Sequence, residues 1–245
     1  MISAGYGLVA ADSSLHPYSA TFAKTSLDAV CPSPGSGSTR RRAHQAWWTT
    51  LSSLKDADGL HPSTIAELAE GHSDGGLLVV ASPDYLAAAE SDLLRAASAL
   101  TDAQRLIIVS SNGGVALQSL EAYTVPSDAR LQSIVGGVLG SLHANVASLI
   151  LKNVRDWGFT AEGVRSRLLE LIKGADGPTR YDREAMNDDA IRTFVRDALR
   201  RNPPPSCTSL LRELRGSGRA CEQKRFKNLY HEVRLEGTLF SPQDS

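Results

Sequence analysis

Two aliphatic runs, Leu77-Leu78-Val79-Val80-Ala81 and Leu106-Ile107-Ile108-Val109, flank a segment from Ser82 to Leu100 that reads as a helix. A strand with one wet face alternates apolar and polar residues, whereas an unbroken aliphatic run has to be covered on both faces. Strand, helix, strand at this spacing is a parallel βαβ crossover. It predicts an α/β fold, a mainly parallel sheet flanked by helices. With 245 residues, 42% hydrophobic and 22% charged, the chain is long enough for one α/β domain carrying a smaller appendage. From Thr160 onward only helical segments follow, at Ala161 to Lys173, Asp182 to Arg201, Thr208 to Leu214 and Arg219 to Val233. The expected division is an α/β unit at 1–175 and a basic helical unit at 176–245, with the boundary near Gly174 to Pro178.

The rest of the first unit is less regular. Met1 to Ala11 reads as a buried strand leading into a polar loop, and Ala43 to Leu54 as a helix holding Trp47 and Trp48. Ser63 is a plausible N-cap for the helix that begins near Ile65. A long helix is expected over Leu131 to Trp157, although Gly136, Gly137 and Gly140 lie inside it. Each glycine there costs about 1 kcal/mol relative to alanine, which suggests that another backbone or a ligand approaches closely. Cys31, Cys207 and Cys221 are too few and too scattered for a zinc site or a disulfide framework, so a reducing, cytoplasmic setting is expected. No apolar run approaches the roughly 20 residues of a membrane span, and the opening residues carry no basic leader, so neither insertion nor export is expected.

The net charge of −1 hides an uneven distribution. Between Arg192 and Arg234 there are nine Arg and two Lys against Asp197, Glu213, Glu222 and Glu232, an excess of seven positive charges. Such a segment points to a polyanionic partner. Helix, Gly216-Ser217-Gly218, helix has the spacing of a helix-turn-helix. Ala220, Phe226, Leu229, Tyr230 and Val233 would pack inward, leaving the cations outside. The candidate DNA contacts are Arg212, Arg215, Arg219, Lys224, Arg225 and Lys227, with Arg40, Arg41 and Arg42 on a flexible lead-in. A solvated basic helix packed on a core is the alternative.

Asp12, His16 and Tyr18 follow the first apolar run, and Asn112 follows the run at 106–109, so an open sheet could bring all four to its carboxyl edge. Asp12, Asn112 and His143 are the candidate catalytic residues: a carboxylate to polarise water, an amide to fix a substrate edge and an imidazole to relay a proton. His16, Tyr18, Ser141 and Asn145 are the candidate substrate contacts, Tyr18 by stacking. Asp12 as a turn or cap residue, Tyr18 as a core aromatic, and His143 with Asn145 as a satisfied buried pair remain open alternatives. The six histidines show no HExxH or other ligand spacing, so no metal is expected. Neither GxGxxG nor GxxxxGK[ST] nor GxSxG occurs, so no nucleotide cofactor and no serine-elbow chemistry are expected.

The run Ser3-Ala4-Gly5-Tyr6-Gly7-Leu8-Val9 with Asp12 and Pro17-Tyr18, and later Gly136-Gly137 with Ser141-Leu142-His143-Ala144-Asn145, resembles YaaA-like proteins and related domains found near bacterial 7-deazaguanine and DNA-modification genes. The likeness covers about Met1 to Trp157; His143 stands where those domains carry asparagine. It implies a fold of the uracil-DNA-glycosylase type with a DNA-binding cleft. Joined to the basic C-terminus, the chain also resembles antiviral DNA glycosylases that remove α-glucosylated hydroxymethylcytosine from bacteriophage DNA. The expected activity is thus monofunctional base excision from modified, double-stranded phage DNA, with no obligate protein partner. A non-catalytic YaaA-like DNA-binding stress protein and a deazaguanine base transferase are the alternatives.

Overall fold

A computed structural model describes residues 1–23, 26–31, 37–54, 62–111, 118–175, 177, 183–201 and 204–239. The two aliphatic runs are its central strands. β3 (Leu77–Val80), β4 (Leu106–Ser110) and β5 (Thr124–Pro126) form a parallel sheet in the order β3-β4-β5, with Leu77 beside Leu106 and Ile108 beside Thr124. Every residue of β4 is buried. Its side chains alternate between two apolar clusters, Leu106 and Ile108 into one and Ile107 and Val109 into the other. At about 2 kcal/mol for each fully buried aliphatic side chain, this two-sided burial is why the run has to be a central strand.

Helices cover both faces. α1 (Gly37–Ser53), α2 (Ile65–Glu70) and α3 (Pro83–Ala99) form the layer around Leu86, Leu93, Leu106 and Ile108. α5 (Leu142–Lys152) and α7 (Ala161–Gly174) form the other, around Val146, Ile150, Val164 and Leu168. The protein is therefore α/β, a three-stranded parallel sheet flanked by helices. The chain splits into two compact units, Met1–Pro178 and Thr179–Ser245. Among the described residues no single helix is long and apolar enough to cross a membrane.

Two buried carboxylates tie the first layer together. Asp92, on α3, accepts from the backbone N–H groups of Ile65 (2.9 Å) and Ala66 (3.1 Å), from the Trp48 indole (3.2 Å) and from Arg95 (3.4 Å). A side chain from α3 thus satisfies the first N–H groups of α2 and fastens α1 to both. Within α2, Thr64 is the N-cap, its hydroxyl accepting from Glu67 N–H at 2.9 Å while Glu67 accepts from Ser63 N–H at 2.8 Å. The cap expected at Ser63 lies one residue later, since both hydroxyl residues suit it. Glu90 accepts from Arg41, Gln45 and Ser119. Burial would raise its pKa, but the Arg41, Ser119 and Gln45 donors outweigh that and hold it below the usual carboxylate range.

Three expectations need correction. Met1 to Ala11 is not a strand of the main sheet: β1 (Ile2–Ser3) and β2 (Gly7–Leu8) pair antiparallel with each other, turning through Ala4-Gly5-Tyr6. Gly7, at φ +77°, lets the chain double back where an unbroken strand was expected. The helix expected over 131–157 is broken into α4 (Gln132–Val135), α5 and α6 (Val154–Trp157): Gly136 and Gly137, at φ of 71° and 79°, separate α4 from α5, and the second break falls at Asn153. Arg40, Arg41 and Arg42 lie within α1, not on a flexible lead-in, and Arg41 is spent on Glu90.

The second unit holds β6 (Glu184–Ala185), α8 (Asp188–Leu199), α9 (Cys207–Gly216), β7 (Arg219–Ala220) and α10 (Gln223–Leu239), with β6 parallel to β7. Phe226, Leu229, Tyr230 and Val233 of α10 are buried with Ile191, Val195, Leu210 and Leu214, as their spacing predicts. Arg219 and Ala220 precede the helix in β7, correcting the start expected at Arg219.

Replacing Asp92 by alanine leaves two buried N–H groups and a buried indole without an acceptor, and should cost about 3 kcal/mol or more in urea unfolding. A loss under about 1 kcal/mol would mean that α2 and Trp48 find other partners.

Candidate active site

β4 ends in a serine and β5 is followed by one, and the two strands end side by side. Ser110 closes β4 opposite Pro126, and Ser127 directly follows β5. Both serines are buried, at 2% and 5% exposure. The Ser127 hydroxyl and His143 Nδ1 are 2.7 Å apart. The Ser110 hydroxyl is buried and has no hydrogen-bond partner among the described residues. A buried hydroxyl forgoes roughly 1–3 kcal/mol when unpaired. The carboxyl ends of parallel strands are where open α/β sheets hold ligands.

His143 sits in the first turn of α5 and is half-buried. Burial pushes its pKa below the ordinary value of 6.5. Its place at a helix N-terminus acts in the same direction, since the peptide dipoles there disfavour a cation. The ring is therefore neutral at pH 7. With Nδ1 engaged by Ser127, Nε2 is the nitrogen left for substrate or water. Next in the chain, Asp128 accepts from the Arg130 backbone and guanidinium, which hold its carboxyl below the usual range.

The segment leading into His143 is stapled in place. Asn145 donates from Nδ2 to Gly136 O (3.0 Å) and Ser141 Oγ (3.2 Å), Gln132 donates to Gly137 O (2.9 Å), and Ser141 donates to Val138 O (2.9 Å). A Cβ on Gly137 would lie 2.6 Å from the Asn145 amide nitrogen. The close approach that the glycines signal is thus that of Asn145 itself. Ser141 and Asn145, expected as substrate contacts, spend these groups on the loop and position His143.

Asp12, His16 and Tyr18 do not join this group. They follow the β1–β2 hairpin, which lies outside the parallel sheet and packs with the α1–α3 layer, and all three are exposed. The Tyr18 hydroxyl accepts from Ser3 at 2.8 Å, and its ring lies on Gly5, where a Cβ would approach to 2.5 Å. Among the described residues no hydrogen bond joins Asp12 to the Ser127–His143 pair. Asn112 lies outside the described residues. Sequence reasoning found His143 but missed Ser110 and Ser127; a serine closing the aliphatic run at 106–109 was the signal for Ser110, and no such signal marks Ser127. Among the described residues no three His, Cys, Asp or Glu side chains gather as metal ligands.

The cations of the second unit divide into paired and unpaired sets. Arg192 pairs with Glu232, Arg196 with Glu236, Arg201 with Glu213, and Arg225 with Asp188. Arg215 donates to Cys221 O at 3.1 Å. Arg212, Arg219, Lys224 and Lys227 are exposed and make no ion pair among the described residues. Arg183, Arg215 and Arg225 line a concavity of about 400 Å³ together with Cys221 and Glu222. Residues 179–245 carry thirteen Lys and Arg against ten Asp and Glu, so the unit is far less basic than its 192–234 stretch alone.

No family model matches the chain, and no curated protein or solved structure is significantly similar to it.

The lowered pKa of His143 has a stability consequence. The unfolded chain takes up the imidazole proton near 6.5, while the folded protein resists it to lower pH, so the stabilisation present above 6.5 is lost as the pH falls through that value. The melting temperature should therefore fall more between about pH 7.5 and 5.5 in the wild type than in His143→Gln. Parallel curves would show that burial of the ring does not shift its titration.

Proposed function

We propose that the protein is a monofunctional DNA glycosylase that flips a modified base from DNA and hydrolyses its N-glycosidic bond. The observation that carries this reading is the Ser127–His143 hydrogen bond at the carboxyl end of the sheet. Hydrolysis needs a base to take a proton from water as the oxygen attacks C1′ while the C1′–N bond breaks and its electron pair leaves with the base. A neutral imidazole with Nδ1 fixed is suited to that step through Nε2. The loop stapled by Asn145 keeps the imidazole in register. Asp12, exposed on its turn, has no part in this scheme.

In this reading the first unit is a glycosylase of the uracil-DNA-glycosylase type, a reading supported by its parallel sheet covered on both faces. α9, the turn at 217–218 and α10 serve as a helix-turn-helix-like unit, with Arg212, Arg219, Lys224 and Lys227 meeting phosphates. The substrate we propose is α-glucosylated hydroxymethylcytosine in phage DNA, in antiviral defence; unstacking it costs a few kcal/mol, which phosphate contacts offset.

The purified protein should release base from glucosylated phage DNA and leave alkali-labile sites, while DNA of ordinary composition stays intact. His143→Ala should reduce release at least about 100-fold with the fold preserved, and Ser127→Ala should reduce it less. Unchanged release by His143→Ala would overturn the site. Binding without release in the wild type would favour a non-catalytic DNA-binding protein, and incorporation of an added base a transferase. Charge reversal of Arg212, Lys224 and Lys227 together should lower the slope of log affinity against log salt by about 2–3. An unaltered slope would remove these side chains from the DNA contact.

A further inference from the structure

The β1–β2 hairpin, which the glycosylase site does not use, carries an unusual surface. Tyr6, Tyr18 and Trp47 are the aromatic side chains most open to solvent among the described residues, at 37%, 46% and 41% exposure. All three meet at one turn. Trp47 donates its indole N–H to Ala4 O at 2.8 Å, Tyr6 is in the turn, and the Tyr18 ring lies on Gly5. Phe22, Trp48, Phe226 and Tyr230, by contrast, are buried.

The orientation is the reverse of the ordinary one. Exposed Tyr and Trp normally bury the ring and leave the polar atom in water. Here the polar atoms are spent internally: Tyr18 hydroxyl with Ser3, Tyr6 hydroxyl donating to His16 O at 3.2 Å, and Trp47 with Ala4. The three side chains are thus partly open to solvent while tied to the protein at their polar ends. Tyr6 and Tyr18 stand nearly perpendicular, centroids 5.2 Å apart and planes at 79°, and so form a corner between two rings. That geometry accepts a flat aromatic group lying on one ring with its edge toward the other.

We infer that this corner with Trp47 is a stacking platform for unpaired bases of single-stranded DNA, distinct from the Ser127–His143 site. Charge on the same helix favours a nucleic acid over a sugar or a peptide. Arg40 lies seven residues before Trp47 on α1, hence on the same face and about 10 Å along the axis. Arg42 is exposed on the same helix. Asp12 is the opposing carboxylate on the turn after the hairpin. A base on the rings with phosphates running toward Arg40 satisfies both features. Stacking on aromatic side chains is tolerant of sequence because every base has a π-face.

The platform does not depend on base excision, so the test uses an unmodified probe, a fluorescein-labelled oligothymidylate of about ten nucleotides. Tyr6→Ala and Trp47→Ala should each weaken binding about tenfold, whereas Tyr6→Phe and Trp47→Phe, which lose the same hydrogen bonds but keep a ring, should stay within about twofold. The probe carries no modified base to excise, so loss of the glycosylase reading leaves this result untouched. Should the alanine variants fail to fold, photocrosslinking wild-type protein to the same oligonucleotide bearing 5-bromouracil keeps the question open to measurement. Adducts at Tyr6, Tyr18 or Trp47 support the platform. Adducts confined to other residues, no binding by the wild type, or alanine variants that melt and bind like wild type would overturn it. So would binding of a glucose oligomer in place of the oligonucleotide.

Discussion

Burial of β4 on both faces governs the first unit. Leu106 and Ile108 leave the strand toward α3 while Ile107 and Val109 leave it toward α5 and α7, so neither layer of helices is dispensable. Once both faces are closed, polar side chains in this strand can sit only at its ends, and Ser110 is the residue at the carboxyl end. β5 runs parallel and in register, which sets Pro126 opposite Ser110 and leaves Ser127 one residue beyond the strand end. The apolar core and the polar site therefore follow from one constraint, the direction in which adjacent parallel strands finish.

What the sequence made legible follows the same division. The aliphatic strands and the helix between them could be read because hydrophobic burial writes a local, contiguous pattern. The inward face of α10 was legible for a related reason: Phe226, Leu229, Tyr230 and Val233 keep a helical spacing. The hairpin at 1–9 was misread because two-residue strands leave no period to detect, and only the positive φ of Gly7 separates a turn-back from a continuous strand. Gly136 and Gly137 were seen as a packing signal, but that the approaching group was Asn145, eight residues on from Gly137, could not be told from composition. Ser127 and His143 are sixteen residues apart and meet only because the chain leaving β5 runs against the first turn of α5, so no motif announces them.

Electrostatics in the second unit was partly legible for a different reason. Counting charge between Arg192 and Arg234 omits Asp188, Asp189 and Glu236, which lie just outside that window yet fold against its arginines. Arg192 and Arg196 recur at four-residue spacing on α8, and their partners Glu232 and Glu236 do the same on α10, so the two helices are zipped along one face. Exposed pairs of this kind contribute roughly 0–1 kcal/mol each. Their larger effect is on field: each paired arginine is removed from the set that a polyanion could meet. Charge counted along a chain thus overstates charge presented on a surface.

The Gly-rich segment shows how a site can be exact without being built from regular structure. His143 would gain little from a long uninterrupted helix, because a helix running through 131–157 would set its ring by the helix axis alone. Breaking the chain at Gly136 and Gly137 frees the start of α5 to be placed by other means. Asn145, one turn from the break, grips Gly136 O and Ser141 Oγ, and Ser127 grips the ring from the strand side. The imidazole is therefore fixed from the loop before it and the sheet beneath it. Any side chain at 137 would contest the space that the Asn145 amide occupies, and at φ +79° it would also strain its own backbone. Glycine at that position is a requirement of the histidine's placement, through the asparagine that braces the loop before it.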